Sequence, residues 1–155
     1  MAETNMKKVI ERLNQALMIE YSAVIQYTQF AALIQGPERQ LYRTIFEGSS
    51  KEARDHAGIV SDLIVSIGGT PTVETAKIRQ SADPTEMLRF SIATEKEVMG
   101  VYQSAHDLVV EECALKYMLE ERVMAEQEDV WQFEKLLKLH AVKVARKEIN
   151  LADAS

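Results

Sequence analysis

Three glutamates and one histidine interrupt the apolar patterns of this sequence. Apolar residues recur at steps of three and four in four long segments. Each pattern contains one polar residue at a place that should be apolar: Glu20, His56, Glu95 and Glu126. Carboxylate oxygens and imidazole nitrogens are donors that bind iron, manganese or zinc. For any single glutamate the alternative is a pair with a nearby Arg or Lys, or a position at the margin of the stripe.

The steps of three and four predict four amphipathic helices, because this spacing places apolar side chains on one helical face. Gly36 and Pro37 separate the first two helices, since glycine commonly ends a helix and proline opens one. Asp83 and Pro84 are typical of the first residues of the third. The predicted helices span about residues 3–35, 37–67, 84–110 and 112–147.

The lengths of the connections predict how these helices are arranged. The first and second helices, and the third and fourth, are joined by a few residues and therefore run antiparallel. Residues 68–83 show no helical period. Extended, they cover ~50 Å, which matches the ~45 Å of a 30-residue helix. The sequence therefore predicts an all-α four-helix bundle with one long crossover between helices 2 and 3.

The four polar residues fall at one level of this bundle. At ~1.5 Å per residue, with alternating helix direction, they lie ~18 to ~29 Å along the bundle axis. Three carboxylates in one buried layer repel each other unless a cation neutralises them. Their common level favours a metal site, with iron or manganese as the expected metal and zinc as an alternative.

The composition excludes several other classes of function. The net charge is −6, and binding to nucleic acid requires a basic surface. No stretch approaches the ~20 consecutive apolar residues of a membrane span. A single cysteine, Cys113, cannot form an internal disulfide and is typical of a reducing cytoplasm. We expect one cytoplasmic domain over residues 1–155, with no nucleic acid or membrane as partner.

Over roughly residues 5–145 the sequence resembles the ferritin-like superfamily, most closely its bacterioferritin branch. The resemblance lies in MIEYSAVIQY, ARDHA, IGGTP, IATE and AEQEDVWQFE. The di-iron site of the family takes one glutamate from each of two helices and a Glu-x-x-His pair from each of the others. Glu20 and Glu95 match the single glutamates, His56 the first histidine, and Glu126 the second paired glutamate.

Two positions depart from the family pattern. Ala53 replaces the glutamate expected three residues before His56, and Asp129 replaces the histidine expected three residues after Glu126. Asp129 can still donate an oxygen to a metal, whereas Ala53 donates nothing. Glu52 is a candidate substitute, and its alternative role is a charge on the helix surface. Tyr27 is either a core aromatic or a hydrogen-bond donor to a buried carboxylate.

The resemblance implies a di-iron protein that oxidises ferrous iron with O₂ or peroxide and stores it, as a homo-oligomer that is a dimer or a hollow shell. The ligands would be Glu20, His56, Glu95, Glu126 and Asp129. Because of Ala53, the alternative is a degenerate site that binds one or no metal and acts in assembly or another metal-dependent role. Arg54 stands where bacterioferritins place their haem-binding methionine, so no haem is expected. His106 and His140 lie away from the predicted layer and are expected to be structural or surface residues.

Overall fold

The computed structural model describes residues 2–154, with side chains from residue 5 onward. Within this range the chain forms four α-helices and no strand: α1 (Ala2–Leu33), α2 (Arg39–Ser66), α3 (Pro84–Leu108) and α4 (Cys113–Asp153). Helix α1 packs against α2 and α3, and α3 packs against α4. The predicted all-α bundle is confirmed. No helix in the described part of the chain is long and apolar enough to cross a membrane.

Glycines end α1 and α2. Gly36 and Gly68 have φ angles of 104° and 87°, in the left-handed region that glycine enters without steric cost. Beyond Gly68, the backbone N–H of Gly69 donates to the carbonyl of Ile64 at 2.8 Å. Pro37 does not open α2 as predicted, because residues 36–39 form a turn and the helix starts at Arg39.

Helix α3 begins at the predicted residues, Asp83 and Pro84. The side chain of Asp83 accepts a hydrogen bond of 2.8 Å from the backbone N–H of Glu86, and Pro84 occupies the first helical turn. The carboxylate satisfies an N–H that has no partner within the helix. This cap fixes the point at which the crossover returns to helix.

The crossover between α2 and α3 runs along the bundle in an irregular, strand-like path. It is tied to α1 by hydrogen bonds at several levels. Asn14 donates to the carbonyl of Thr70 and accepts from the N–H of Thr72, and the N–H of Ala76 donates to the carbonyl of Met18 at 2.9 Å. These bonds hold α2 and α3 in the parallel orientation predicted from the length of the connection.

The apolar core consists of two clusters separated by a polar layer. One includes Leu13, Leu17 and Val60, and the other includes Phe30 and Phe46. In every helix the sequence passes from one cluster to the other at the polar residue identified above, so Glu20, His56, Glu95 and Glu126 lie at the junction. The interrupted stripes therefore meet at one level.

Helix α4 extends beyond its predicted end. Its predicted end is near residue 147, but it continues to Asp153. The added segment contains no Gly or Pro and is rich in helix-forming Lys, Glu, Leu and Ala. The connection between the third and fourth helices is a few residues longer than predicted, because α3 ends at Leu108 and α4 begins at Cys113.

Candidate metal centre

Three of the predicted ligands converge from three different helices. Donor atoms of Glu20, His56 and Glu126 all lie within 4.8 Å of one another. Nδ1 of His56 is 2.9 Å from Oε1 of Glu126 and 3.6 Å from Oε1 of Glu20. Glu20 and Glu126 are buried, while the His56 side chain is 14% exposed. This group offers one nitrogen and several carboxylate oxygens to a single cation.

A second group lies beside the first. Donor atoms of Glu95, Glu126 and Asp129 also lie within 4.8 Å of one another. Glu126 and Asp129 are three residues apart on α4 and therefore share a helix face. Because Glu126 belongs to both groups, the two candidate positions are adjacent and its carboxylate lies between them.

The Glu126 carboxylate is suited to a cation. It is 0% exposed, and neither of its oxygens accepts a well-oriented hydrogen bond from the described residues, although the His56 nitrogen is close. A buried carboxylate without such bonds loses its hydration, and the charge of the neighbouring His56 offsets only part of that cost. A divalent cation between the two groups would supply the missing partner to both oxygens.

Two tyrosines hold the single glutamates. Tyr102 on α3 donates a hydrogen bond of 2.7 Å to Oε1 of Glu20 on α1. In the reverse direction, Tyr27 on α1 donates to Oε1 of Glu95 on α3. Tyr27 is therefore both a core aromatic, stacked on Phe133, and a donor to a buried carboxylate. Each hydroxyl restricts the orientation of one candidate ligand.

The role of Tyr102 was not predicted from the sequence. A signal was present, because Tyr102 follows Glu95 by seven residues just as Tyr27 follows Glu20 by seven. A separation of seven places two side chains on the same helix face. The repeated spacing predicts two equivalent tyrosines, one on each helix that contributes a single glutamate.

In the absence of metal, the carboxyl groups of the site bind protons more tightly than exposed carboxyl groups do, so their pKa values are raised. Burial is the largest influence and raises the pKa of Glu20, Glu95 and Glu126, and the neighbouring charge of Glu126 raises that of Glu95 further. Burial, followed by the charges of Glu95 and Glu52, raises the pKa of Asp129 to about 7. A metal would replace these protons as the source of positive charge.

His56 behaves in the opposite way to an isolated buried histidine. Burial lowers its pKa, but hydrogen bonds and charge attraction from Glu126 and Glu20 outweigh burial and raise the pKa to about 10. The imidazole is therefore a cation among the carboxylates when no metal is bound. It must release its Nδ1 proton before that nitrogen can bind a metal.

The two departures from the family pattern have different consequences. Ala53 is 4% exposed and packs in the apolar cluster that contains Tyr27 and Phe133, so no oxygen occupies its place. Glu52 is exposed and belongs to neither ligand group. Its charge is nevertheless close enough to contribute to the raised pKa of Asp129. Asp129 itself lies within the second group.

The other residues considered from the sequence lie outside the two groups. His106 is placed between Asp107 and Glu120, with each ring nitrogen within 3.2 Å of a carboxylate oxygen. The ring of His140 packs edge-on against that of Tyr42. Arg54 is exposed on α2.

Comparison with known proteins gives matches at the level of sequence family and of structure. The model of a family described as a ferritin-like domain matches residues 10–141. A ferritin-like, diiron-carboxylate protein from Bacillus anthracis str. Ames has a TM-score of 0.82 and 30% identity over 86% of this chain and 97% of its own. Curated protein sequences give no significant match.

Two further structures share the fold. Bacterioferritin from Rhodobacter capsulatus, solved with a metal-free dinuclear site and haem iron, is 25% identical over 87% of this chain and 86% of its own, with a TM-score of 0.78. The dodecameric thioferritin from Bacteroides fragilis is 22% identical over 94% and 90%, also with a TM-score of 0.78. At that identity the second likeness describes the fold alone.

Proposed function

Because the chain belongs to the ferritin-like domain family, we propose that it binds two adjacent divalent metal ions at the centre of the bundle and oxidises ferrous iron for storage. The observation that carries this proposal is the shared Glu126. Its buried carboxylate accepts no well-oriented hydrogen bond from the described residues, and it joins a group formed with Glu20 and His56 to a group formed with Glu95 and Asp129.

Each residue has a distinct task in this proposal. Glu20 and His56 would hold the first ion, Glu95 and Asp129 would hold the second, and Glu126 would contribute to both positions. The four carboxylates balance the formal charge of two divalent cations. Tyr102 and Tyr27 keep Glu20 and Glu95 aimed at the centre. Ferrous iron bound there supplies the electrons that reduce O₂ or peroxide.

Iron is the metal that the donor set and the family support. Carboxylate oxygens with one imidazole also accept manganese or zinc. The Bacillus anthracis protein, whose structural likeness spans most of both chains, is described as a diiron-carboxylate protein, which favours iron here. We propose that the protein binds no haem, because Arg54 occupies the position at which bacterioferritins have their haem-binding methionine.

Homo-oligomerisation in the cytoplasm is part of the same proposal. Large apolar side chains are exposed on α1, α2 and the crossover, among them Ile25, Ile59 and Val73. Ile25 and Val73 line the same surface depression, and contiguous exposed apolar groups are typical of surfaces that pack against another chain. Storage of oxidised iron requires such an assembly, because a single bundle encloses no space for a mineral.

A second candidate function follows from Ala53. In the family pattern, each Glu-x-x-His pair provides a glutamate that bridges the two metals. With alanine buried in an apolar cluster in place of one of them, this site would have a single bridging carboxylate, that of Glu126. A weaker site of this kind would bind one metal or none, and the protein would act in assembly or another metal-dependent role.

Aerobic addition of ferrous iron to metal-free protein tests the proposal. We expect near-ultraviolet absorbance to rise faster than in a protein-free control, and the purified protein to bind about two metals per chain. Glu126→Gln should abolish both effects, whereas Glu128→Gln, an exposed neighbour on the same helix, should preserve them. Oxidation no faster than in the control, with one or no metal bound, would favour the second candidate.

A further inference from the structure

The last part of α4 extends past the other helices. Helix α4 has 41 residues, whereas α1 has 32, α2 has 28 and α3 has 25. His140 contacts Tyr42 near the start of α2, and Lys143 pairs with Glu38 just before it. Every residue from 141 to 153 is exposed. We refer to residues 141–153 as the overhang, which is about 20 Å of helix.

The overhang has the composition of a helix that packs against another surface. Val142 and Ile149 share one face, and Val144 and Leu151 share another, because each pair is seven residues apart. All four are between 41% and 63% exposed. An isolated helix of this length is marginal in water, since helices in proteins are stabilised by burial of their apolar faces. The overhang therefore presents apolar side chains without the burial that stabilises a helix.

The first half of the overhang is also basic in an acidic chain. Residues 141–147 contain Lys143, Arg146 and Lys147 and no Asp or Glu, and the two acidic residues of the overhang, Glu148 and Asp153, lie in its second half; the net charge of the whole chain is −6. Arg146 lies on the face of Val142 and Ile149, and Lys147 on the face of Val144 and Leu151. The described residues of the same chain provide no acidic partner for Arg146 or Lys147. A matching surface must therefore combine apolar contact with negative charge.

The opposite end of the bundle has such a surface. A groove of about 280 Å³ lies where the start of α1 meets the connection between α3 and α4, and its apolar lining includes Met6, Val9 and Leu108. Val110 lies in the groove and is 73% exposed. The sequence supplies two acidic residues at its rim, Glu111 and Glu112.

We propose that the overhang of one copy of this chain docks in the groove of a second copy, with Arg146 and Lys147 facing Glu111 and Glu112. The apolar residues of the overhang would cover Val110 and the groove, and the opposite charges would fix the register. Since overhang and groove lie at opposite ends of one chain, the contact is head-to-tail. A head-to-tail contact between identical chains closes into a ring or shell when its rotation closes.

This inference rests on the proposed homo-oligomer and is independent of the metal chemistry. A charge exchange tests it, with mass measured by light scattering during size-exclusion chromatography of the full chain. We expect Arg146→Glu with Lys147→Glu, and separately Glu111→Lys with Glu112→Lys, to raise the concentration of half-dissociation about tenfold or more. Combining all four substitutions should restore assembly, because the opposite charges again face each other.

Control variants distinguish loss of this contact from a general effect of net charge and from loss of folding. Lys51→Glu with Arg89→Glu makes the same change in net charge as Arg146→Glu with Lys147→Glu, at exposed positions on α2 and α3, and should leave the mass unchanged. Far-ultraviolet circular dichroism verifies that each variant is folded. Failure of the fourfold variant to reassemble, or equal dissociation of the control, would overturn the docking. A wild-type chain that is monomeric at every concentration would overturn both the docking and the proposed homo-oligomer.

Discussion

The hydroxyl of Tyr102 lies 2.7 Å from Oε1 of Glu20, on a different helix. Tyr27 makes the reciprocal contact with Glu95, so each of two neighbouring helices contributes one candidate ligand and one donor that orients the candidate ligand of the other. Because both tyrosines are 0% exposed, water cannot replace these donors. Hydrogen bonds of this kind orient metal ligands and tune their affinity.

Removal of one hydroxyl should weaken one metal position without emptying the site. We expect Tyr102→Phe to reduce metal affinity about 10- to 100-fold, the range typical of residues that hold a ligand in place. Titration with a metal-sensitive dye competitor would measure the change. Tyr117→Phe removes an exposed hydroxyl from α4 and should leave affinity unchanged; an equal loss in that variant would contradict the assignment.

The two ligand groups should respond separately to substitution. His56→Ala removes a donor found only in the first group, and Asp129→Ala a donor found only in the second. Since each substitution removes a donor from one group and leaves the other group complete, we expect each variant to bind about one metal per chain where the wild type binds two. Mass spectrometry under native conditions would count the ions, and loss of both in either variant would mean that the positions do not fill independently.

The architecture and the ligand layer could be predicted from the sequence because both depend on local periodicity. Steps of three and four define the helical faces, and one interruption in each stripe places a polar group at a calculable height. Connection lengths then determine the direction of each helix. This is why Glu20, Glu95 and Glu126 could be grouped before any distance was known.

What could not be predicted depends on contacts between helices. The sequence left the role of Tyr27 open and concealed that of Tyr102, because a tyrosine in an apolar stripe is compatible with burial of the ring alone. The extension of α4 past residue 147 was missed because termini commonly fray, and periodicity does not separate a frayed end from a continued helix. The exposed position of Glu52 depends on the angle between α2 and α4, which spacing along one helix does not determine.

The stability of the metal-free protein should fall as the pH rises through the titration of Asp129. Its folded pKa of about 7 lies above the ordinary value of 3.8, so the folded chain keeps a proton that the unfolded chain releases between these values. Stability therefore decreases with rising pH across this window. Asp129→Asn mimics the protonated side chain and should gain about 1 to 2 kcal/mol over the wild type between pH 4 and 7.5, after allowance for screening by solvent.

Chemical denaturation in the presence of a chelator would measure this difference. The comparison is made between the two proteins at each pH, which removes the contribution of the other titrating groups that they share. A constant difference in the free energy of unfolding from pH 4 to 7.5 would show that Asp129 is ionised throughout.

Substitution of Glu52 should alter the titration of Asp129 but not the number of metals. Glu52 is exposed and lies in neither ligand group, yet its charge contributes to the raised pKa of Asp129. We expect Glu52→Gln to lower that pKa and to leave metal content unchanged, with Asp55→Asn as an exposed control on the same helix. Loss of one metal per chain in Glu52→Gln alone would instead make Glu52 the substitute for the missing family glutamate.

Restoring a glutamate at position 53 should make stability dependent on metal. The side chain of Ala53 is 4% exposed within an apolar cluster, so Ala53→Glu places a carboxylate where burial costs several kilocalories per mole unless a cation binds it. We expect the metal-free variant to unfold at a lower temperature than the wild type. With ferrous iron under anaerobic conditions, or with zinc, it should gain more stability and higher metal occupancy than the wild type, because the added carboxylate would supply a second bridge between the two metal positions.

Ala105→Glu is the matched control for this variant. Ala105 is 0% exposed and lies away from the ligand groups, so metal should not recover the stability that Ala105→Glu loses. Equal behaviour of the two variants would mean that position 53 does not face the metal centre.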